Sequence, residues 1–261
     1  MRGEKKFFLS FAALVAVIVI CSILLSVTGG YAVYTANTNK RKLPVYGVER
    51  DDNSVSISFD CAWGADYTEK ILDTLDFYKV KATFFVVEFW TEKYPETLKK
   101  IVDRGHEVGT HSKTHPKMSK LSVGQIEAEL KSSVEAIEKI TEKKVTLFRP
   151  PFGDYDDEVV ETAEKLGLKT IQWSVDSLDW KDLSAEQIAV RVIGKTKSGS
   201  IILMHNNGLH TLESLPLIFT DLQRKGFVFR PIGELIYTKD YEIAPDGTQR
   251  KINIKKTESK K

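Results

Sequence analysis

Cysteine is nearly absent: Cys21 and Cys61 are the only two in 261 residues. Cys21 stands inside an apolar run and Cys61 beside a polar motif, so no disulfide between them is expected, and cysteine usage leaves the compartment open. Charge imbalance is missing too. Thirty-eight Lys and Arg against 36 Asp and Glu leave a net charge of +2, so nothing implies a nucleic-acid partner. There is no internal repeat. What remains is an ordinary globular composition, 42% hydrophobic and 28% charged, long enough for one large domain or two small ones.

The N-terminus is informative. Arg2, Lys5 and Lys6 precede Phe7–Val27, an apolar run broken only by Ser10, Ser22 and Ser26. A membrane-spanning helix needs about 20 apolar residues. Cations ahead of the run predict a cytoplasmic N-terminus and an exported remainder. The run exceeds the roughly 7–15 residues of a cleaved signal peptide, which favours an uncleaved anchor in the cell membrane. The small residues of Thr28–Ala36 leave cleavage, and hence secretion, as the alternative. The expected organisation is a basic start and anchor over 1–34, a linker over 35–52, one domain over 53–240 and a polar basic tail over 241–261.

Within the domain, strand and helix signals alternate about seven times. Val55, Ile57 and Phe59 alternate with serines, and Ala82–Val87 reads as a strand buried on both faces. His106–Thr110, Val145–Phe148, Leu168–Val175, Ser200–Met204 and Phe227–Arg230 supply further strands. Helices are expected from Asp66 or Thr68, from Thr91, from Ser122 to about Ile140, over Asp156–Leu166, from Ser184 and over Thr211–Lys225. This alternation predicts an α/β fold with a parallel sheet of about seven strands, closed or nearly closed as a barrel.

Such barrels carry their sites at the carboxyl ends of the strands, and titratable groups collect there. Asp60 ends the first strand, His111 and His115 follow the third, Arg149 ends the fourth, Asp176 and Asp179 follow the fifth, and His205 ends the sixth. His111 and His115 are four residues apart between Gly109 and Pro116, a spacing at which two imidazoles can close on one ion. His106 reads as structural and His210 as exposed. Trp63 and Trp90 suit either a glycan cleft or core packing.

From about Val55 to Ile236 the chain resembles the polysaccharide deacetylases of the NodB-homology type, carbohydrate esterase family 4. SISFD, THSKTH, RPPFG, DSLDW and LMH are similar to the family's five motifs, in order. The resemblance implies a deformed (β/α) barrel. Asp60 would be the catalytic base and His111 and His115 metal ligands. Arg149 would hold the base carboxylate, Asp179 would orient His205 as general acid, Trp180 and Leu203 would enclose the acetyl methyl, and a backbone N–H near Phe152 would bind the oxyanion. FDCAWG, FFVVEFW and QWSVDSLDWKDL further resemble the membrane-anchored PdaB-like branch associated with sporulation.

One position departs from the family. Where the first motif usually carries a second, metal-binding aspartate, this chain has Cys61. Asp66 is the expected substitute ligand. A Cys61 thiolate, or a site with two histidines only, are the alternatives. The resemblance implies a divalent cofactor, Zn²⁺ or else Co²⁺, and hydrolysis of N-acetyl groups on a cell-wall glycan outside the membrane. A wall-binding protein that has lost its metal is the competing reading. A phosphoesterase is less well supported, because two-metal sites want more carboxylates.

Overall fold

The computed structural model describes residues 41–181 and 183–252. The anchor expected over 1–34 lies outside them. Among the described residues no helix is long and apolar enough to cross a bilayer.

The elements in chain order are β1 (Gly47–Val48), β2 (Ser54–Cys61), α1 (Thr68–Phe77), β3 (Thr83–Val86), α2 (Glu88–Lys93), α3 (Pro95–Asp103), β4 (Glu107–Thr110), α4 (Val123–Thr141), β5 (Leu147–Phe148), α5 (Asp157–Lys165), β6 (Lys169–Thr170), β7 (Val175–Asp176), α6 (Ala185–Lys195), β8 (Ile201–His205), α7 (Thr211–Arg224), β9 (Val228–Phe229), α8 (Ile232–Leu235), β10 (Tyr241–Ile243) and β11 (Thr248–Lys251). The helix starts follow local chemistry. Ser122 and Ser184 each form a capping box with the glutamine three residues on, and Asp156 accepts from the Val159 N–H.

The main sheet runs β6-β5-β4-β3-β2-β8-β7, with β9 paired to the start of β2. Every pair in it is parallel. The sheet curls into a half-barrel with helices outside it. Neighbouring residues alternate between two apolar clusters. Ile57, Phe59, Cys61, Phe84 and Val86 pack outward under the helices, while Phe85, Leu147 and Ile201 pack inside the curl. Burial on both faces explains why the strands read as near-continuous apolar runs.

The structure corrects four expectations. The strand expected over Leu168–Val175 is two strands at opposite edges of the sheet, so the barrel stays open between them. Residues between them turn away to pair with the N-terminal segment: the Val45 N–H donates to the Thr170 carbonyl, and the Gln172 N–H to that of Val45. The stretch expected as a linker over 35–52 therefore carries Val45 and Val48 into the inner cluster. The tail expected over 241–261 contains β10 and β11, which join β1 in a small second sheet. The helix expected from Thr91 is α2 and α3, divided at Pro95, which starts α3 where no backbone N–H is needed.

Candidate active site

Register brings the expected residues together. On β2, Ser56, Ser58 and Asp60 face opposite to Ile57, Phe59 and Cys61, so the side that looks polar in sequence points into the curl. Asp60 lies directly across from His205 on β8, and Thr110 lies across from Phe148, which brings His111 beside Arg149. The carboxyl ends of β2, β4, β5, β7 and β8 thus meet around one mouth. It opens into a cavity of about 750 Å³ lined by Asp60, His111, His115, Asp179 and His205 among others.

Arg149 is wholly buried behind Asp60. Its Nη1 donates to Asp60 Oδ1 at 2.8 Å and to Ser58 Oγ at 2.9 Å, and its Nη2 donates to the Gln172 carbonyl at 3.1 Å. The guanidinium also lies 4.2 Å from the Phe85 ring centroid. Burial alone would raise the Asp60 carboxyl pKa. The Arg149 charge, together with smaller contributions from His111, His205 and the Arg149 hydrogen bond, outweighs it and holds Asp60 below the usual carboxylate range, ionised at neutral pH.

A second ion pair faces it. Asp179 Oδ1 accepts from His205 Nδ1 at 2.8 Å, which leaves Nε2 for the cavity. Asp179 Oδ2 accepts from the His205 N–H at 2.7 Å and from Thr211 Oγ1 at 2.6 Å. Burial works to lower the His205 pKa, but the hydrogen bond and charge of Asp179 prevail, and the net shift is upward. Gly208 lets the chain pass this close, since a Cβ there would stand 2.2 Å from Thr211 Oγ1.

The two histidines of THSKTH, His111 and His115, are 4.9 Å apart, centroid to centroid. His111 donates from Nδ1 to the Arg149 carbonyl at 2.7 Å, and its Nε2 sits 3.5 Å from Asp60 Oδ2. Burial lowers the pKa of both rings, that of His115 to about 4, so both are neutral with lone pairs available. Their loop is strained: Ser112 (φ 71°) and His115 (φ 59°) are left-handed without being glycine. Glu129 of α4 holds it, accepting from the Lys113 N–H (2.9 Å), the Thr114 N–H (2.8 Å) and Thr114 Oγ1 (2.7 Å).

A protein-held divalent ion of this kind takes three side-chain ligands. The expected third, Asp66, is exposed and does not line the cavity. Its short loop continues into α1, and the cap position falls to Tyr67, without a side-chain capping bond. Cys61 points away into the outer apolar cluster, where burial raises its thiol pKa well above the usual value. Among the described residues no set of three or more His, Cys, Asp or Glu is disposed to hold an ion. The donor set therefore does not fit a three-ligand metal centre, and Asp66 is corrected as a ligand.

Trp180, Leu203 and Phe152 line the cavity as expected, Phe152 with a left-handed backbone (φ 60°). Trp63 lines it too, whereas Trp90 is core, its Nε1 donating to the Gly64 carbonyl. His106 is buried and accepts from the Ala82 N–H. Glu129, Thr211 and Trp173 were not legible as site residues. Their contacts are made only by tertiary folding, and only the tryptophan's amphipathic ring offered any signal.

Comparison with known proteins agrees with this geometry. Residues 47–171 match the polysaccharide deacetylase family model. The peptidoglycan-N-acetylmuramic acid deacetylase PdaA of Bacillus subtilis is 33% identical over 196 residues, 74% of each chain. A peptidoglycan-N-acetylglucosamine deacetylase of Bacillus cereus is 34% identical over 74% of this chain and 92% of its own. YlxY of B. subtilis is 36% identical, and the match spans 60% of its length. Among solved structures, BA3943 of Bacillus anthracis, described as a CE4 family pseudoenzyme, superposes with a TM-score of 0.72 at 38% identity, covering 74% of this chain and 68% of its own. A mutant of it is described as having restored enzymatic activity. With its fold, its paired carboxylate and histidine machinery and these relatives in agreement, the chain belongs to the polysaccharide deacetylase family, the CE4 carbohydrate esterases.

Proposed function

We propose that the cavity binds an N-acetylated amino sugar of a peptidoglycan-type glycan and hydrolyses its amide, releasing acetate. The observation that carries this reading is the in-register placement of Asp60 and His205, each fixed by its own buried partner. Asp60, kept ionised by Arg149, takes a proton from water as it attacks the acetyl carbonyl. A backbone N–H near Phe152 donates to the oxyanion. An amine cannot leave as an anion, so His205 gives its Nε2 proton to the nitrogen as the C–N bond breaks. Trp180 and Leu203 enclose the methyl group and exclude longer acyl chains. The relatives named for muramic acid and glucosamine substrates support an amino-sugar target of either type.

The imidazole pair supports a divalent cofactor of the Zn²⁺ or Co²⁺ type, held more loosely than by three ligands. The run over Phe7–Val27 supports export and tethering at the outer face of the cell membrane, and with the PdaB-like motifs it supports a place in sporulation. Acetate release from N-acetylglucosamine oligomers and from peptidoglycan, with and without added Zn²⁺ or Co²⁺, tests the activity. Turnover lost in Asp60→Asn supports it; an Asp60→Asn variant as active as wild type refutes it.

A second reading is favoured by Cys61 lying in the core and by the resemblance to a pseudoenzyme: a wall protein that binds glycan without turnover. Glycan binding with no acetate under any metal condition would select it.

A further inference from the structure

Gln172 lies between β6 and β7, is buried, and does not line the cavity. The main sheet is open there, so the polar groups of Gln172 turn to partners outside it. Its N–H donates to the Val45 carbonyl at 2.8 Å. Its carbonyl accepts at 3.1 Å from Nη2 of Arg149, the guanidinium that holds Asp60. Its side-chain Nε2 donates to the Gly153 carbonyl at 3.0 Å.

The far end of that last bond is a strained turn. Phe152 (φ 60°) and Gly153 (φ 68°) are left-handed in succession, and Phe152 has a Cβ. Such a shape lasts only where its surroundings hold it. Bonds within the turn close it: the Gly153 N–H donates to the Pro150 carbonyl and the Asp154 N–H to that of Pro151, both at 3.0 Å. They set its curvature and leave its facing to outside contacts. Asp154 supplies one, accepting from the Ser119 N–H at 2.8 Å and from Ser119 Oγ at 3.0 Å. The Gln172 amide supplies another. Space there is tight, since a Cβ at Gly153 would stand 3.0 Å from Trp173 Cη2. With its own N–H and carbonyl both tied, Gln172 is a fixed point from which to hold a loop.

We propose that Gln172 is a positioning residue for the oxyanion: its amide holds the Phe152–Gly153 turn so that a backbone N–H there faces the charge that develops on the acetyl oxygen. Donors aimed in advance stabilise such charge best. The proposal rests on the hydrolytic reading of the preceding section. Gln172 touches no reacting atom and acts only through the turn. Its carbonyl also steadies Arg149, so the base and the oxyanion donor are referenced to one residue.

Two ligands separate this from a merely structural role, without requiring turnover. One is the N-acetylglucosamine trimer. The other is the same trimer with its acetamides replaced by methylphosphonamidate, which presents a tetrahedral oxyanion. Calorimetry on the full chain at one fixed Zn²⁺ concentration should show the wild type preferring the second. A misaimed donor costs less than the roughly hundredfold of a missing one, so Gln172→Met should weaken phosphonamidate binding about tenfold and leave trimer affinity unchanged. Gln172→Glu keeps the shape, cannot donate when ionised, and should lose at least as much. Variants that weaken both ligands alike, or neither, overturn the proposal and leave the glycan reading intact. A wild type that binds the trimer without preferring the phosphonamidate overturns the proposal together with the hydrolytic reading. Absence of binding to either ligand overturns the glycan reading and the proposal with it.

Discussion

Arg149 should be coupled to Asp60 far more strongly than a surface ion pair would be. The two groups lie 2.8 Å apart with Arg149 wholly buried and Asp60 7% exposed. Replacing Arg149 with Met keeps much of the volume against Phe85 but strands a carboxylate away from water. Breaking one side of such a pair costs about 3–5 kcal/mol. Asp60→Asn alone strands the guanidinium and should cost a similar amount. The double variant leaves neither charge, so it should be at least about 2 kcal/mol less destabilised than the sum of the singles. Losses at Ser58 Oγ and the Gln172 carbonyl occur with and without the Asp60 change and cancel in the cycle. Urea unfolding of the four proteins at neutral pH measures it. Acidification adds a second check. In the wild type the Asp60 pKa is depressed, so its contribution is present above the unfolded-state value and lost as pH falls through the folded one. Without Arg149 the pKa rises and the stranded carboxylate can protonate, so the penalty of Arg149→Met should shrink as pH drops. Additivity within about 0.5 kcal/mol would refute the reasoning.

Three further outcomes are expected. Thr211→Val removes one donor from Asp179, leaving its charge more available to His205; the basic limb of the kcat profile should move to higher pH and kcat should fall about fivefold, whereas a changed Tm with an unmoved limb would make Thr211 merely structural. Glu129→Ala should speed amide exchange at Lys113 and Thr114 and cost about 1–2 kcal/mol, with Glu129→Gln intermediate; protection unchanged from wild type would show that the strained histidine loop stands by itself. Burial, with a smaller contribution from the Lys81 charge, lowers the His106 pKa to about 4, so the stability it gives is present above the unfolded value near 6.5 and lost as pH falls between the two, about 3 kcal/mol in all; His106→Leu should flatten the pH dependence of unfolding over that window.

Much of this arrangement was readable from the chain alone, for definable reasons. Asp60, Arg149, Asp179 and His205 sit just past strands that announce themselves by apolar runs, and a parallel sheet sends all such ends to one side. His111 and His115 are local in sequence and stay local in space. Legibility fails where partners are distant. Glu129 and Thr211 lie on helices whose periodicity shows only that one face is buried. The split between β6 and β7 turns on hydrogen bonds from Val45, well over 100 residues earlier, so the stretch Leu168–Val175 read as one strand. Asp66 was expected to fold back because Gly64 and Ala65 permit a tight loop; in the structure Gly64 serves Trp90 and Asn206 instead, and the chain runs on into α1.

Acetate release from N-acetylglucosamine oligomers, followed across pH with and without Zn²⁺, tests the central claim most directly. Turnover should fall on the acid side as Asp60 protonates and on the basic side as His205 loses its proton, and should vanish in Asp60→Asn. Oligomer binding without acetate at any pH or metal concentration would contradict it.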